Sequence, residues 1–145
     1  MSFNTFSKEI INLISANISG IQDVANYEKQ PFAGYPACTV TESDNESDYE
    51  TTAENRRVYA FRIRIYEQTG RALGTVDNSA AERSSRVVRE LVDSFLDTFD
   101  QNYTLGSNAL MVEAAPSNWG WETRENNILR FAEIVLRIHK IVDVT

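Results

Sequence analysis

The chain has 145 residues, 42% hydrophobic and 24% charged, a composition that supports one soluble globular domain with its own core. Acidic residues outnumber basic ones 21 to 14, for a net charge of −7, which excludes a free reader of duplex DNA with its basic footprint. A single cysteine, Cys38, and a single histidine, His139, exclude an internal disulfide and the usual zinc frameworks.

No stretch reaches the ~18 apolar residues that a membrane-spanning helix needs, and the first residues carry no basic segment leading into an apolar one. The expected setting is cytosol-like, with no membrane partner. In chain order, Phe6, Ile10, Leu13, Ile14 and Ile18 recur at three- and four-residue steps, predicting a helix over residues 4–17 that ends near Gly20. A short strand through Val24 and Tyr27 follows. Residues 30–36 are turn-rich, because two prolines and a glycine interrupt any ladder. Residues 37–41 read as a second short strand.

Residues 42–54 hold Glu42, Asp44, Glu46, Asp48, Glu50 and Glu54 and no base, so nearly all of the net charge sits there. Self-repulsion predicts a mobile hairpin or loop. Asp44-Asn45-Glu46-Ser47-Asp48 begins as a calcium loop does. The central glycine is absent, however, and Asn55 stands where a closing glutamate belongs, so no metal is expected.

From residue 56 the pattern turns to strict alternation. Tyr59, Phe61, Ile63 and Ile65 share one face of a strand, and Ala60, Arg62, Arg64 and Tyr66 share the other. Residues 70–74 predict a loop. Ser79 and Glu82 then fit a capping box that opens a long helix, with Val87, Val88, Leu91, Val92, Phe95, Leu96 and Phe99 on a broad apolar stripe and Gly106 closing the region. Residues 109–114 predict a strand stopped by Pro116, with Trp119-Gly120-Trp121 in the loop or strand start beyond it. Residues 128–144 alternate again, Ala132, Ile134, Leu136 and Ile138 against Glu133, Arg137 and His139. Fully extended, that last segment spans roughly 55 Å, against roughly 40 Å for a compact domain of this size, so it must bend, bulge or overrun. The expected fold is a single α+β domain over residues 1–145. A mostly antiparallel sheet with a long C-terminal strand is covered on one face by the N-terminal helix and the longer central helix.

Catalytic chemistry is hard to place on these residues. The six glycines are scattered singly, which leaves no phosphate-cradling loop. His139 lies inside an alternating strand and reads as an ordinary surface or interface histidine. Cys38, in a small apolar strand with no cation beside it, reads as a packed thiol. No enzyme activity and no cofactor are expected. Arg62 and Arg64 on an outward face are either solubilising or set against carboxylates of a neighbouring copy, with Glu133 and the acidic run as candidates. Arg137 shares the Glu133 face. Trp119 and Trp121, two residues apart, either anchor a core edge or sit within an interface.

This layout resembles the tail terminator proteins of tailed bacteriophages. The resemblance covers most of the chain. It rests on the N-terminal amphipathic helix, Tyr35-Pro36-Ala37-Cys38 leading into a strand, and the acidic segment before Arg57-Val58-Tyr59-Ala60-Phe61-Arg62-Ile63. It continues through the long helix over residues 79–100 to Trp121-Glu122 and Arg130-Phe131-Ala132-Glu133-Ile134. The resemblance implies a virion protein of the head–tail junction, assembled in the host cytoplasm as a homohexameric ring. Such a ring ends tail-tube polymerisation and docks the head connector, with DNA only as cargo through its lumen. Its subunit interface would draw on Arg62, Arg64, Glu133, Arg137, Trp119 and Trp121. Glu42, Asp44, Glu46, Asp48 and Glu50 would face the lumen or the tube rim, where negative charge repels passing phosphate. A head–tail connector component and a small-ligand-binding α+β domain are the alternatives.

Overall fold

In the computed structural model, which describes residues 3–29, 31–49, 54–71, 78–105, 109, 111–124 and 126–143, the N-terminal stripe forms α1 (Phe3–Asn17). Phe6, Ile10 and Ile14 are fully buried, and Gly20, at φ +89°, turns the chain in the left-handed region that suits glycine. Five strands follow in chain order: β1 (Asp23–Ala25), β2 (Ala37–Tyr49), β3 (Glu54–Arg71), β4 (Met111–Arg124) and β5 (Asn127–Asp143). They form one sheet in the order β1-β2-β3-β5-β4, in which β1 runs parallel to β2 and every other pair is antiparallel. The fold is α+β.

The alternation in β3 does what its period requires. Tyr59, Phe61, Ile63 and Ile65 turn to one face and meet Ile138, Leu136, Ile134 and Ala132 of β5 rung by rung. Over them lie Val88, Val92, Phe95 and Phe99 of α2 (Asn78–Gln101), spaced at four, three and four residues. The stripe of α1 completes this core, and Phe3 and Phe6 stack on Tyr59 at centroid distances of 4.9 and 5.1 Å. Each of the larger side chains buried there stabilises the fold by about 1.5–3 kcal/mol. Both helices lie on this one side of the sheet.

Several expectations need correction. Pro116 does not stop its strand: β4 runs through it, with a register shift between Pro116 and Asn118. β4 is an edge strand, so the missing proline N–H deprives no neighbour of a bond, and the bulge absorbs the irregularity. Trp119-Gly120-Trp121 is therefore strand interior. β3 continues to Arg71, past the expected start of a loop at residue 70, while residues 72–74 and Gly106 lie outside the described residues. α2 starts at Asn78, which places Ser79 inside the first turn; Glu82 instead pairs with Arg86 one turn on, at 3.2 Å. β1 ends at Ala25, short of Tyr27.

The acidic segment continues the sheet. β2 pairs with β3 through a register shift between Glu42 and Asn45 and on to Tyr49↔Asn55. On the other side of β3, β5 pairs as far as Glu54↔Asp143. A three-stranded arm thus extends past Tyr59↔Ile138, the last rung that reaches the helix-covered core.

Candidate functional site

The opposite face of the sheet carries no helix among the described residues, and its two ends differ. At one end residues 31–35 fold over Tyr66, which packs with Phe32, Ala37 and Leu129 in a second, smaller core. Arg124, at the end of β4, is buried there. Its guanidinium lies 5.2 Å from the Phe32 ring centre and 4.8 Å from that of Tyr66. It donates to the Lys29 carbonyl at 3.2 Å and to the Tyr66 hydroxyl at 3.4 Å, and it pairs with Glu122 at 2.9 Å. Burial pushes the Tyr66 hydroxyl above the ordinary phenol value. This end is closed.

The other end is open. Arg64 Nε donates to Glu133 Oε1 at 3.0 Å, across the rung that aligns the two residues, and Ser117 Oγ donates to Glu133 Oε2 at 2.8 Å. Burial alone would raise the Glu133 carboxyl. The Ser117 hydroxyl and the guanidinium groups of Arg64 and Arg62 outweigh it and hold the carboxyl below its ordinary range. Arg64 in turn is held above the ordinary guanidinium value: desolvation opposes this, and Tyr66 and Glu133 overcome it.

Arg62 and Arg137 are exposed on the same face, and among the described residues neither is in an ion pair. They flank a groove of about 430 Å³ with Ser43, Ser117, Asn118 and Glu133 on its walls. Because Arg64 and Ser117 bond both Glu133 oxygens, the groove presents two exposed guanidinium groups, that of Arg62 only partly offset by Glu133, beside hydroxyl and amide donors. Such a surface receives carboxylates, and a guanidinium fork can grip one with two bonds.

His139, one further step along this face, is nine-tenths buried, which corrects the surface half of the expectation of a surface or interface histidine. Val58 and Met111 flank it in the ladder, and its Nε2 is 2.6 Å from Glu113 Oε1, outside hydrogen-bond angles. Cys38 is fully buried on the helix side, and desolvation drives its thiol far above the ordinary value, which disfavours the thiolate. A concavity of about 480 Å³ beside α1 is lined by Asn4, Lys8, Ile11, Tyr27 and Lys29 among others, and among the described residues by no acid, histidine or cysteine. No group of acids, histidine and cysteine among the described residues is arranged to hold a metal.

Of the residues singled out from the sequence, Arg62, Arg64, Glu133 and Arg137 come together on the uncovered face. Trp119 and Trp121 do not join them. Their rungs, opposite Ala132 and Arg130, put them on the helix-bearing face, 40% and 48% exposed, with the Arg130 guanidinium 5.1 Å from the Trp121 ring. Glu42 is exposed where the arm begins. Asp44, Glu46 and Asp48 lie along β2, and Glu50 lies outside the described residues. Sequence reasoning missed Ser117, Asn118 and Arg124. The first two follow a proline that read as a stop. The third had a signal: Tyr66, a large aromatic on the polar face of an alternating strand, required a cover. No family model matches the chain, and no curated protein matches it.

Proposed function

We propose that this protein is a structural subunit that closes into a ring, caps the tail tube of a bacteriophage and docks the head connector, as its resemblance to tail terminators implies. One observation carries the reading. Among the described residues the sheet is covered by helices on one side only, and its bare side holds exposed guanidinium groups in no ion pair around a groove. Two unlike surfaces on opposite sides of a subunit are what a head-to-tail interface requires, and head-to-tail contacts close into rings when the rotation allows. The acidic arm, with Glu42 at its base, faces the lumen or the tube rim in this reading and keeps DNA moving as cargo. The protein is not an enzyme and uses no cofactor.

Size-exclusion chromatography with light scattering tests the ring, and negative-stain images count its subunits. Six-fold particles that halt growth when added to polymerising tube protein are the expected result. A chain that stays monomeric at every concentration overturns the ring. Rings that bind the connector but leave tube growth unchanged move the protein to the neck.

A further inference from the structure

We propose that the Arg62–Arg137 groove is the seat for the α2 helix of a second copy, held by the acidic stripe Glu90, Asp93, Asp97 and Asp100. The inference rests on the ring reading and names the two surfaces that meet. These four acids recur at steps of three, four and three residues, which puts them on one side of α2, and all four are exposed. None is in an ion pair among the described residues; the only pair on this helix surface within α2 joins Glu82 and Arg86 near its other end.

In an isolated chain this stripe is poorly placed. Like charges three and four residues apart repel. The stripe also runs into the C-terminal end of α2, where the helix dipole is negative and the last turn contains no base. An external cation would relieve both, and the groove supplies two. Arg137 stands opposite Ala60 and Arg62 opposite Val135, so the two arginines are diagonal neighbours on adjacent strands. Their backbone positions are roughly 7–8 Å apart. Acids one helical turn apart have Cβ atoms ~5–6 Å apart, within reach of both long side chains. Ser117 and Asn118 offer further donors at the groove wall.

The two surfaces also lie on opposite sides of the subunit. The stripe is on the outer side of the helix layer, and the groove is on the bare side of the sheet. Seating one on the other gives the bare sheet a covering layer, as two-layer domains require, and repeats in one direction around a ring.

The test is a charge exchange. Asp93→Lys with Asp97→Lys reverses the two central charges of the stripe, and Arg62→Glu with Arg137→Glu reverses the groove. All four residues are exposed, and circular dichroism verifies folding. Each double variant alone should raise the assembly midpoint by more than about a hundredfold, because like charges now meet. Mixed in equal amounts, the two should form rings again, since each reversed surface then finds a complementary one. A second measurement keeps every charge reversal out: Asp93→Cys paired with Asn118→Cys should give a ladder of disulfide-linked oligomers. Wild-type rings that tolerate both reversals overturn this inference and leave the ring reading standing. So does rescue of the groove variant by lysines at Asp44 and Glu46 of the acidic arm in place of the stripe. A wild type that never assembles overturns the ring reading itself.

Discussion

The two ends of the uncovered sheet face come from the same strands with the same alternation, yet one is a closed core and the other an exposed groove. At the closed end, Tyr66 and Leu129 are fully buried because Phe32 and Tyr35 pack over them and Arg124 bonds to the Lys29 carbonyl. At the open end, Arg62 and Arg137 have the same kind of neighbours along the strand and stay exposed, with none of the described residues covering them. Strand period decides which face a side chain takes; what covers the face decides whether an arginine there is structural or available. Arg124 is the first kind, Arg62 and Arg137 the second, and Arg64, bonded to Glu133, stands between.

The comparison is broken most directly at the closed end. Arg124→Ala removes two ring contacts, the bond to the Lys29 carbonyl and the partner of Glu122. The expected loss is about 3 kcal/mol, most of it from stranding the remaining polar groups and unpacking Phe32 from Tyr66. For a chain of this size that lowers the thermal midpoint by roughly 6–12 °C. Arg62→Ala at the open end should change it by under about 0.5 kcal/mol. Equal losses in calorimetric melts of the two variants would erase the distinction between the ends.

The distinction was only half legible in the sequence. The alternation of residues 59–65 and 132–138 identifies both faces, because a period of two survives any register. What pairs across the sheet depends on register, and there local pattern runs out. Arg64 and Glu133 are 69 residues apart, and they had the look of partners between copies until the ladder put them on one rung of one chain. The tryptophans fail for a related reason. Glu113 and Ala115 point to the bare face, and unbroken alternation would send Trp119 and Trp121 after them. The extra residue at Ser117 reverses the phase, so both point to the helix side. That bulge is tolerable because β4 is at the edge, which depends on a strand order that the sequence does not display.

Two carboxylates on opposite faces sharpen the comparison through pH. Glu133 is held below its ordinary value, so its contribution to stability is fully present above the unfolded-state pKa and is lost as pH falls through the folded one. Glu67, on the helix side, is raised: burial dominates over the Gln68 amide and Arg83, 3.7 Å away. Its charged form is a cost at neutral pH that disappears as acid protonates it. Glu133→Gln should therefore destabilise by about 1.5 kcal/mol at neutral pH, with the gap to wild type closing on acidification. Glu67→Gln should be neutral or stabilising at neutral pH, its gap closing from the other side. Denaturant midpoints measured between pH 7 and pH 4 check both signs, and gaps of the same sign would contradict the assignment.

A small gain in stability is the most informative about the open end. Asp97→Lys with Asp100→Lys removes two acids from the negative end of the α2 dipole and relieves the repulsion along the stripe. Both residues are exposed and unpaired among the described residues, so the isolated chain should gain about 0.5–1 kcal/mol, read as a higher thermal midpoint at low protein concentration. The same change should abolish rings. A residue type kept where it weakens the monomer has its use in the assembly, and opposite signs in the two measurements are the signature of that use. If the variant loses stability in step with its rings, the stripe serves the fold, and the groove needs another occupant.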